Sequence, residues 1–231
     1  MINLSDFYSA GYQLIKPIPR DRSHDVLPPF ILSGSEDICD KFPNFWCWED
    51  GSATVNDTVE KARILGVKEN EIQNIYLWVN ALYDERRIEW PGLFMSLETA
   101  IATRMQFFEK DNDICAIGFG LNRELLDTFL SENISESSVH RAAIERKEYL
   151  SNKGKILGFE LLGLEGSYSF SHSWLCHGIE KELFKLCGKY PNEHGMVSEY
   201  KVALEISNQI NSGKIGAEPA LWLPWLMVSY N

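Results

Sequence analysis

The stretch from Ser169 to Gly178, SFSHSWLCHG, holds two histidines, one cysteine and three serines within ten residues. Histidine and cysteine side chains bind zinc and act as bases and nucleophiles, so this stretch is the first candidate for chemistry. His172 and Cys176 have a spacing that places two metal ligands on one face of a helix. Because a third or fourth ligand would have to come from Cys187 or His194, we expect no metal site.

A cysteine nucleophile is the second possibility for this stretch. Cys176 would lie in the first turn of a helix predicted over about 173–187, where the helix dipole favours a thiolate and a histidine lies nearby. The same helix places Cys176, Ile179 and Leu183 on one apolar stripe, and a cysteine in such a stripe is typically buried. We therefore expect Cys176 to be a core thiol, and the exposure of the two histidines stays open.

The remaining chemical motifs are incomplete. Ser171 or Ser173 is expected to cap the helix, and no G-x-S-x-G surrounds either serine. The stretch GFGLN at 118–122 lacks the third glycine of a dinucleotide-binding turn and the G-K-[ST] of a phosphate loop. Three carboxylates near predicted strands or turns could pair for acid–base work, but their separation does not follow from the sequence: Glu160, Glu165 and Glu218.

The charge balance of the chain is strongly acidic, with 33 acidic residues against 22 lysines and arginines and a net charge of −11. Such a surface repels phosphate backbones and anionic headgroups, so we expect neither nucleic acid nor a membrane as partner. It attracts a basic protein instead, although an acidic balance is also typical of soluble proteins. No motif indicates a cofactor, so none is expected.

The cysteines and the apolar segments indicate a cytoplasmic protein. The chain has five cysteines at scattered spacings without a C-x-x-C pair, which is typical of free thiols in a reducing compartment. The start of the chain has no basic run followed by an apolar stretch, and no apolar segment is long enough to cross a bilayer. We therefore expect no signal peptide and no transmembrane helix.

Apolar periodicity predicts helices mixed with short strands. Spacings of three and four residues predict helices over about 71–83, 96–108, 125–130, 137–149, 173–187 and 198–210. In the second of these, Leu97, Ile101, Met105 and Phe108 are expected to face inward. Short apolar runs predict strands over 113–120, 155–166 and 220–230. This mixture predicts an α+β fold, with amphipathic helices packed on a small mixed or antiparallel sheet.

The expected organisation is a single compact domain over residues 1–231. The best candidate boundary is Ser151–Gly154, so an arrangement of two lobes, 1–150 and 151–231, stays open. No shift in composition accompanies that boundary.

Prolines determine the expectations for both ends of the chain. The first segment, to about residue 51, is expected to be irregular, above all the proline-rich part at about 13–50. Near the C-terminus, Pro219 and Pro224 predict an edge or irregular strand, because proline cannot donate to a ladder. The tryptophans of the last third are expected to pack in the core: Trp174, Trp222 and Trp225.

Several runs of packing residues together resemble a known family. The runs are LGFELLG, SHSWLCHGIE and AEPALWLPWLMVSY, with further similarity in EWPGLFMSLETAIATRMQFFE and GFGLNRELLDTFL. Over about residues 85–231 they resemble the immunity proteins of bacterial polymorphic-toxin and contact-dependent-inhibition systems. The resemblance implies a cytoplasmic inhibitor that binds a cognate toxin domain, and it carries no site residue onto this chain.

The leading hypothesis is therefore a binding protein that inhibits a basic toxin domain by stoichiometric occlusion of its active site. Loops carry recognition more often than packed elements do, which selects acidic and aromatic residues of the first segment as partner contacts. They are Asp21, Asp25, Glu36, Asp37, Asp40, Trp46, Trp48, Glu49 and Asp50. The alternative is a small cytoplasmic hydrolase or transferase that uses His172, Cys176 or His177.

Overall fold

In a computed structural model, the described residues are 2–19, 30–35, 63, 65–89, 92–108, 114–165, 170–176, 185 and 191–230. They form a seven-stranded sheet whose pairings are all antiparallel, with helices packed on it. The α+β class predicted from the sequence is confirmed.

The strands, numbered along the chain, include four long ones that form the middle of the sheet. They are β1 (Phe7–Ile15), β2 (Ile18–Pro19), β3 (Phe30–Ile31), β4 (Ile88–Glu89), β5 (Leu93–Phe94), β6 (Cys115–Asn122), β7 (Lys155–Leu164), β8 (His172–Ser173) and β9 (Leu221–Tyr230). The order in the sheet is β4-β5-β1-β6-β9-β7-β8, and β2 and β3 form a separate pair. Strands that precede Ser151–Gly154 therefore adjoin strands that follow it, while the domain count stays a prediction.

The α-helices among the described residues are α1 (Ile72–Asp84), α2 (Leu97–Phe107), α3 (Leu126–Ser131), α4 (Val139–Glu145) and α5 (Tyr200–Asn211). Each lies within or close to a helix predicted from periodicity. The Ser96 side chain caps α2 by accepting from the Thr99 amide at 3.2 Å, as a serine at this position predicts. The helix predicted over 137–149 is shorter, because Lys147 adopts a left-handed conformation just after α4.

The inward face predicted for the helix over 96–108 is wrong at Met105, whereas Leu97 and Ile101 pack partly buried against the core and Phe108 is buried. Met105 is 77% exposed, whereas Thr99, Ala100 and Thr103 are buried. The Trp78 indole N–H donates to the Thr103 hydroxyl at 3.0 Å, and that hydroxyl donates to the Thr99 carbonyl at 2.9 Å. Small side chains with satisfied hydroxyls therefore form the most buried part of α2, beside Leu97 and Ile101 of the predicted face.

The prediction of an irregular first segment is wrong for β1, which lies between β5 and β6. The prolines begin at Pro17, so residues 7–15 keep every backbone donor that a ladder needs. A register shift between Ser9 and Tyr12 is accommodated at Gly11, whose φ of 94° suits glycine. β2 and β3 also pair within the proline-rich part, and residues 20–29 and 36–50 lie outside the described residues.

The prediction that Pro224 confines the last strand to an edge is also wrong, because β9 lies between β6 and β7. The Trp222 amide donates to Asn211 Oδ1 at 3.0 Å, and its carbonyl accepts from Asn211 Nδ2 at 2.8 Å. Backbone groups two residues apart in a strand point to the same side, so the nitrogen of Pro224 faces the side to which the Trp222 amide points. On that side, the pairing of β9 with β6 ends at Trp225. The missing proline N–H therefore costs no ladder bond.

The sheet is buried on both faces. The core cluster on one face contains Trp222 with residues of α1, α2 and α5, and the cluster on the other contains Trp225 with Phe129 and Ile144 of α3 and α4. Trp174, Trp222 and Trp225 are each at most 1% exposed, which confirms the prediction that these tryptophans are core residues. Both core clusters draw on β1, β6, β7 and β9.

Candidate functional site

The candidate site is a cluster of hydrogen-bonded polar groups around Glu160, which lies in the middle of β7. Glu160 lies opposite Trp225 of β9, on the same face of the sheet as Phe119 and Leu162, and it is 1% exposed. Its Oε1 accepts from the Ser33 hydroxyl and, at 2.7 Å, from the Ser173 hydroxyl. Its Oε2 accepts from the Gly34 amide at 3.0 Å.

Two short segments position these donors. Ser33 Oγ also accepts from the Ser35 amide at 3.1 Å, and Ser35 Oγ donates to the Ser171 carbonyl at 3.2 Å. Ser173 Oγ likewise accepts from the Leu175 amide at 3.2 Å. The hydroxyls of Ser33 and Ser173 thus each close a tight turn of their own backbone while they point at the carboxylate.

Gly34 lies directly on the aromatic core of this face. A Cβ at this position would lie 2.6 Å from Phe119 Cε1 and 3.1 Å from Leu162 Cδ1, so only glycine fits without displacing a buried ring. The close approach brings the Gly34 amide within reach of Glu160. The S-G-S sequence at 33–35 therefore has a packing explanation as well as a hydrogen-bonding one.

The electrostatic state of Glu160 follows from its burial. Desolvation raises the pKa of the carboxyl from 4.5 to about 7, and the hydrogen bonds from Ser33, Gly34 and Ser173 act in the opposite direction. Among the described residues its partners are neutral donors, and none forms an ion pair with it. Glu160 therefore keeps its proton to a higher pH than an exposed glutamate does.

His172 lies on the opposite face of β8 from Ser173. Its Nε2 meets Glu165 Oε2 at 2.8 Å, and its ring stacks on Trp222 with the centroids 6.2 Å apart. The imidazole is buried, whereas the Glu165 side chain is 56% exposed. The exposure of His172, which the sequence left open, is thus resolved in favour of a buried ring.

The helix predicted over 173–187 does not begin at Ser173, because Ser173 pairs in β8 and Trp174–Cys176 form a 3-10 turn. The side chain of Cys176 and all of His177 lie outside the described residues, so the predicted apolar stripe is not tested. Ser173 nevertheless caps this turn through its bond with the Leu175 amide. The spacing of His172 and Cys176 is therefore not that of a helix face.

His140, on α4, is a buried titratable group that the sequence analysis missed. Its Nδ1 lies 2.7 Å from the Ala10 carbonyl oxygen, and its ring stacks on Phe170 with the centroids 3.8 Å apart. Burial lowers its pKa from 6.5 to about 4, so the ring is neutral at physiological pH. A lone histidine within a helical pattern carries no signal that distinguishes it from a surface residue.

Of the other predicted site residues, His194 and Glu218 are described, whereas the predicted partner contacts are not. His194 Nε2 lies 3.3 Å from Glu193, and no cluster of three metal-binding side chains forms among the described residues. The carbonyl of Glu218 accepts from the Trp222 indole at 3.0 Å. All nine predicted partner contacts lie outside the described residues: Asp21, Asp25, Glu36, Asp37, Asp40, Trp46, Trp48, Glu49 and Asp50.

The arrangement around Glu160 is closed. The carboxylate, Ser33 and Ser173 are all buried, so this cluster presents no described atom to a substrate in solution. Its chemistry is internal: a carboxylate shares protons with neighbouring hydroxyls and joins three segments of the chain. A buried and satisfied cluster of this kind stabilises the fold.

The fold and the site define an antiparallel α+β protein with a buried carboxylate, Glu160, that accepts hydrogen bonds from Ser33, Gly34 and Ser173. No protein-family model matches the chain, and no similar protein was found among curated proteins or solved structures. Within the described part of the chain, no helix combines the length and apolar character needed to span a bilayer.

Proposed function

We propose that this chain is an immunity-type inhibitor, which binds a cognate bacterial toxin domain in the cytoplasm and blocks its active site. The observation that carries the proposal is the burial of Glu160, His140 and His172. These side chains are suited to acid–base chemistry, yet each is engaged in contacts within the fold. A protein whose reactive groups serve packing is better suited to binding than to turnover.

The net charge supports a basic partner. At −11, the chain attracts a cationic protein over distances of about a Debye length and accelerates encounter with it. Toxin domains that act on nucleic acids need basic surfaces, and an acidic inhibitor would compete for those surfaces. The resemblance of residues 85–231 to immunity proteins points to the same class of partner, which we expect to be encoded immediately upstream.

Alanine at His172 should leave protection intact, provided that the chain folds. Cells that express the upstream toxin domain would be rescued by wild-type chain and by His172→Ala, Cys176→Ala and His177→Ala alike, because occlusion needs none of these groups. Growth is the measurement, and circular dichroism verifies folding of each variant.

A matched variant covers the case in which the buried His172 is needed for folding. Glu165→Gln removes the carboxylate that contacts the imidazole, and its side chain is 56% exposed, so the core is not altered. Continued protection by Glu165→Gln agrees with occlusion. Loss of protection by a folded Glu165→Gln or Cys176→Ala variant would instead support the enzyme alternative, a hydrolase or transferase around 172–177.

A further inference from the structure

We propose that Glu160 is a proton-dependent clasp, which holds the Ser33–Ser35 segment on the sheet and releases it when the carboxylate ionises. This inference is independent of the proposed function. It concerns the attachment of one segment to β7, and it needs no partner.

The contacts of the segment identify Glu160 as its main polar anchor. Two successive residues, Ser33 and Gly34, donate to the two oxygens of this one carboxylate. Ser173 donates to it as well, so the same group also fixes the turn that follows β8. The third residue, Ser35, donates to the Ser171 carbonyl, which extends the junction between the two segments.

The surroundings of the carboxylate favour its neutral form. Glu160 is 1% exposed and lies on the apolar face that contains Phe119, Leu162 and Trp225. The three donors stabilise the ionised carboxylate, but none of them is charged, and the loss of water around the buried group outweighs them. Release of the segment would expose the carboxylate to water, so ionisation favours the released state.

Among the described residues, the other titratable groups packed near Glu160 do not place a charge beside it. On α4, burial keeps His140 neutral above a pKa of about 4, and its Nδ1 meets the Ala10 carbonyl. On β8, His172 is paired with Glu165 on the other face of the sheet. Burial raises the pKa of Glu160 to about 7, which agrees with this geometry.

Hydrogen exchange of the full chain between pH 5 and pH 8 tests the clasp. Protection of the Gly34 and Ser35 amides, corrected for the intrinsic exchange rate at each pH, should fall as pH rises. The fall should approach about tenfold per pH unit below pH 7, because release of the segment is coupled to loss of up to one proton. Amides of β6 provide the internal reference for global opening.

Glu160→Gln is the decisive variant, because glutamine keeps an acceptor of similar shape and cannot ionise. Its Gly34 and Ser35 protection should lose the pH dependence, whereas Glu205→Gln, an exposed change on α5, should retain it. If Glu160→Gln fails to fold, the wild-type series decides alone. Wild-type protection that is constant or rises with pH overturns the clasp, as does wild-type pH dependence in folded Glu160→Gln.

Discussion

Alanine in place of Trp225 should lower the free energy of unfolding by about 3–5 kcal/mol, the range for truncating a buried tryptophan. Trp225 is fully buried in β9, a central strand. Its ring packs against Phe129, Phe170 and His140, with centroid distances of 5.9, 4.8 and 5.8 Å. Truncation would leave a cavity beneath both α3 and α4, because each helix contributes one of these contacts.

Two further variants make the Trp225 prediction specific. The buried Trp225 indole N–H has no hydrogen-bond partner within the part of the chain that the structure describes, so Trp225→Phe removes an unsatisfied donor together with some volume. We expect Trp225→Phe to cost less than about half as much as Trp225→Ala. Leu77→Ala, on the exposed side of α1, should change stability by about 0.5 kcal/mol or less. Urea unfolding provides all three values, and a cost for Trp225→Ala below that of Leu77→Ala would contradict the packing.

Replacing Glu160 or His140 should change the pH dependence of stability in opposite directions. The folded chain holds the Glu160 proton more tightly than the unfolded chain, since the pKa is about 7 instead of 4.5. The stabilising contribution of Glu160 is therefore complete below pH 4.5 and is lost as pH rises through 7. For His140, with a pKa of about 4 instead of 6.5, the contribution is complete above pH 6.5 and is lost as pH falls through 4.

The two contributions nearly cancel in the wild type between pH 4.5 and 6.5, and the variants separate them. Relative to wild type, Glu160→Gln should gain stability as pH rises across this window, by up to about 1.4 kcal/mol per pH unit. His140→Phe, which keeps a ring against Phe170, should lose stability at a similar rate. Urea unfolding at pH 4.5, 5.5 and 6.5 measures both. Parallel curves for wild type and either variant would show that the replaced group does not titrate as its burial requires.

Local pattern predicted the elements of this fold better than their places in the sheet. Short apolar runs located β6, β7 and β9, and the three- and four-residue spacing located α1 and α5, because these patterns reflect burial of each element. The place of Pro224 in a central strand could not be predicted, since it depends on where β6 ends and on Asn211 from α5. The end of β6 and the position of Asn211 both depend on contacts between residues that are far apart in the sequence.

The clasp shows the same limit at the candidate site. The sequence marked Glu160 as one carboxylate among many, and Ser173 as a cap. Ser33 lies 127 residues before Glu160 in the sequence, so no spacing rule could join the two. The spacing of His172 and Cys176 in the sequence indicated a shared helix face. These residues instead lie in β8 and in the turn after it, which do not have helical spacing.

Titration of the proposed partner, a toxin domain that we expect to be encoded upstream, with this chain tests the proposed function most directly. Residual toxin activity is measured against the molar ratio of the two proteins, at several incubation times. Stoichiometric occlusion predicts a linear fall to zero at a fixed ratio, with no dependence on time. Progressive loss of toxin activity at a small fraction of that ratio, or full activity at a large excess of the chain, would contradict it.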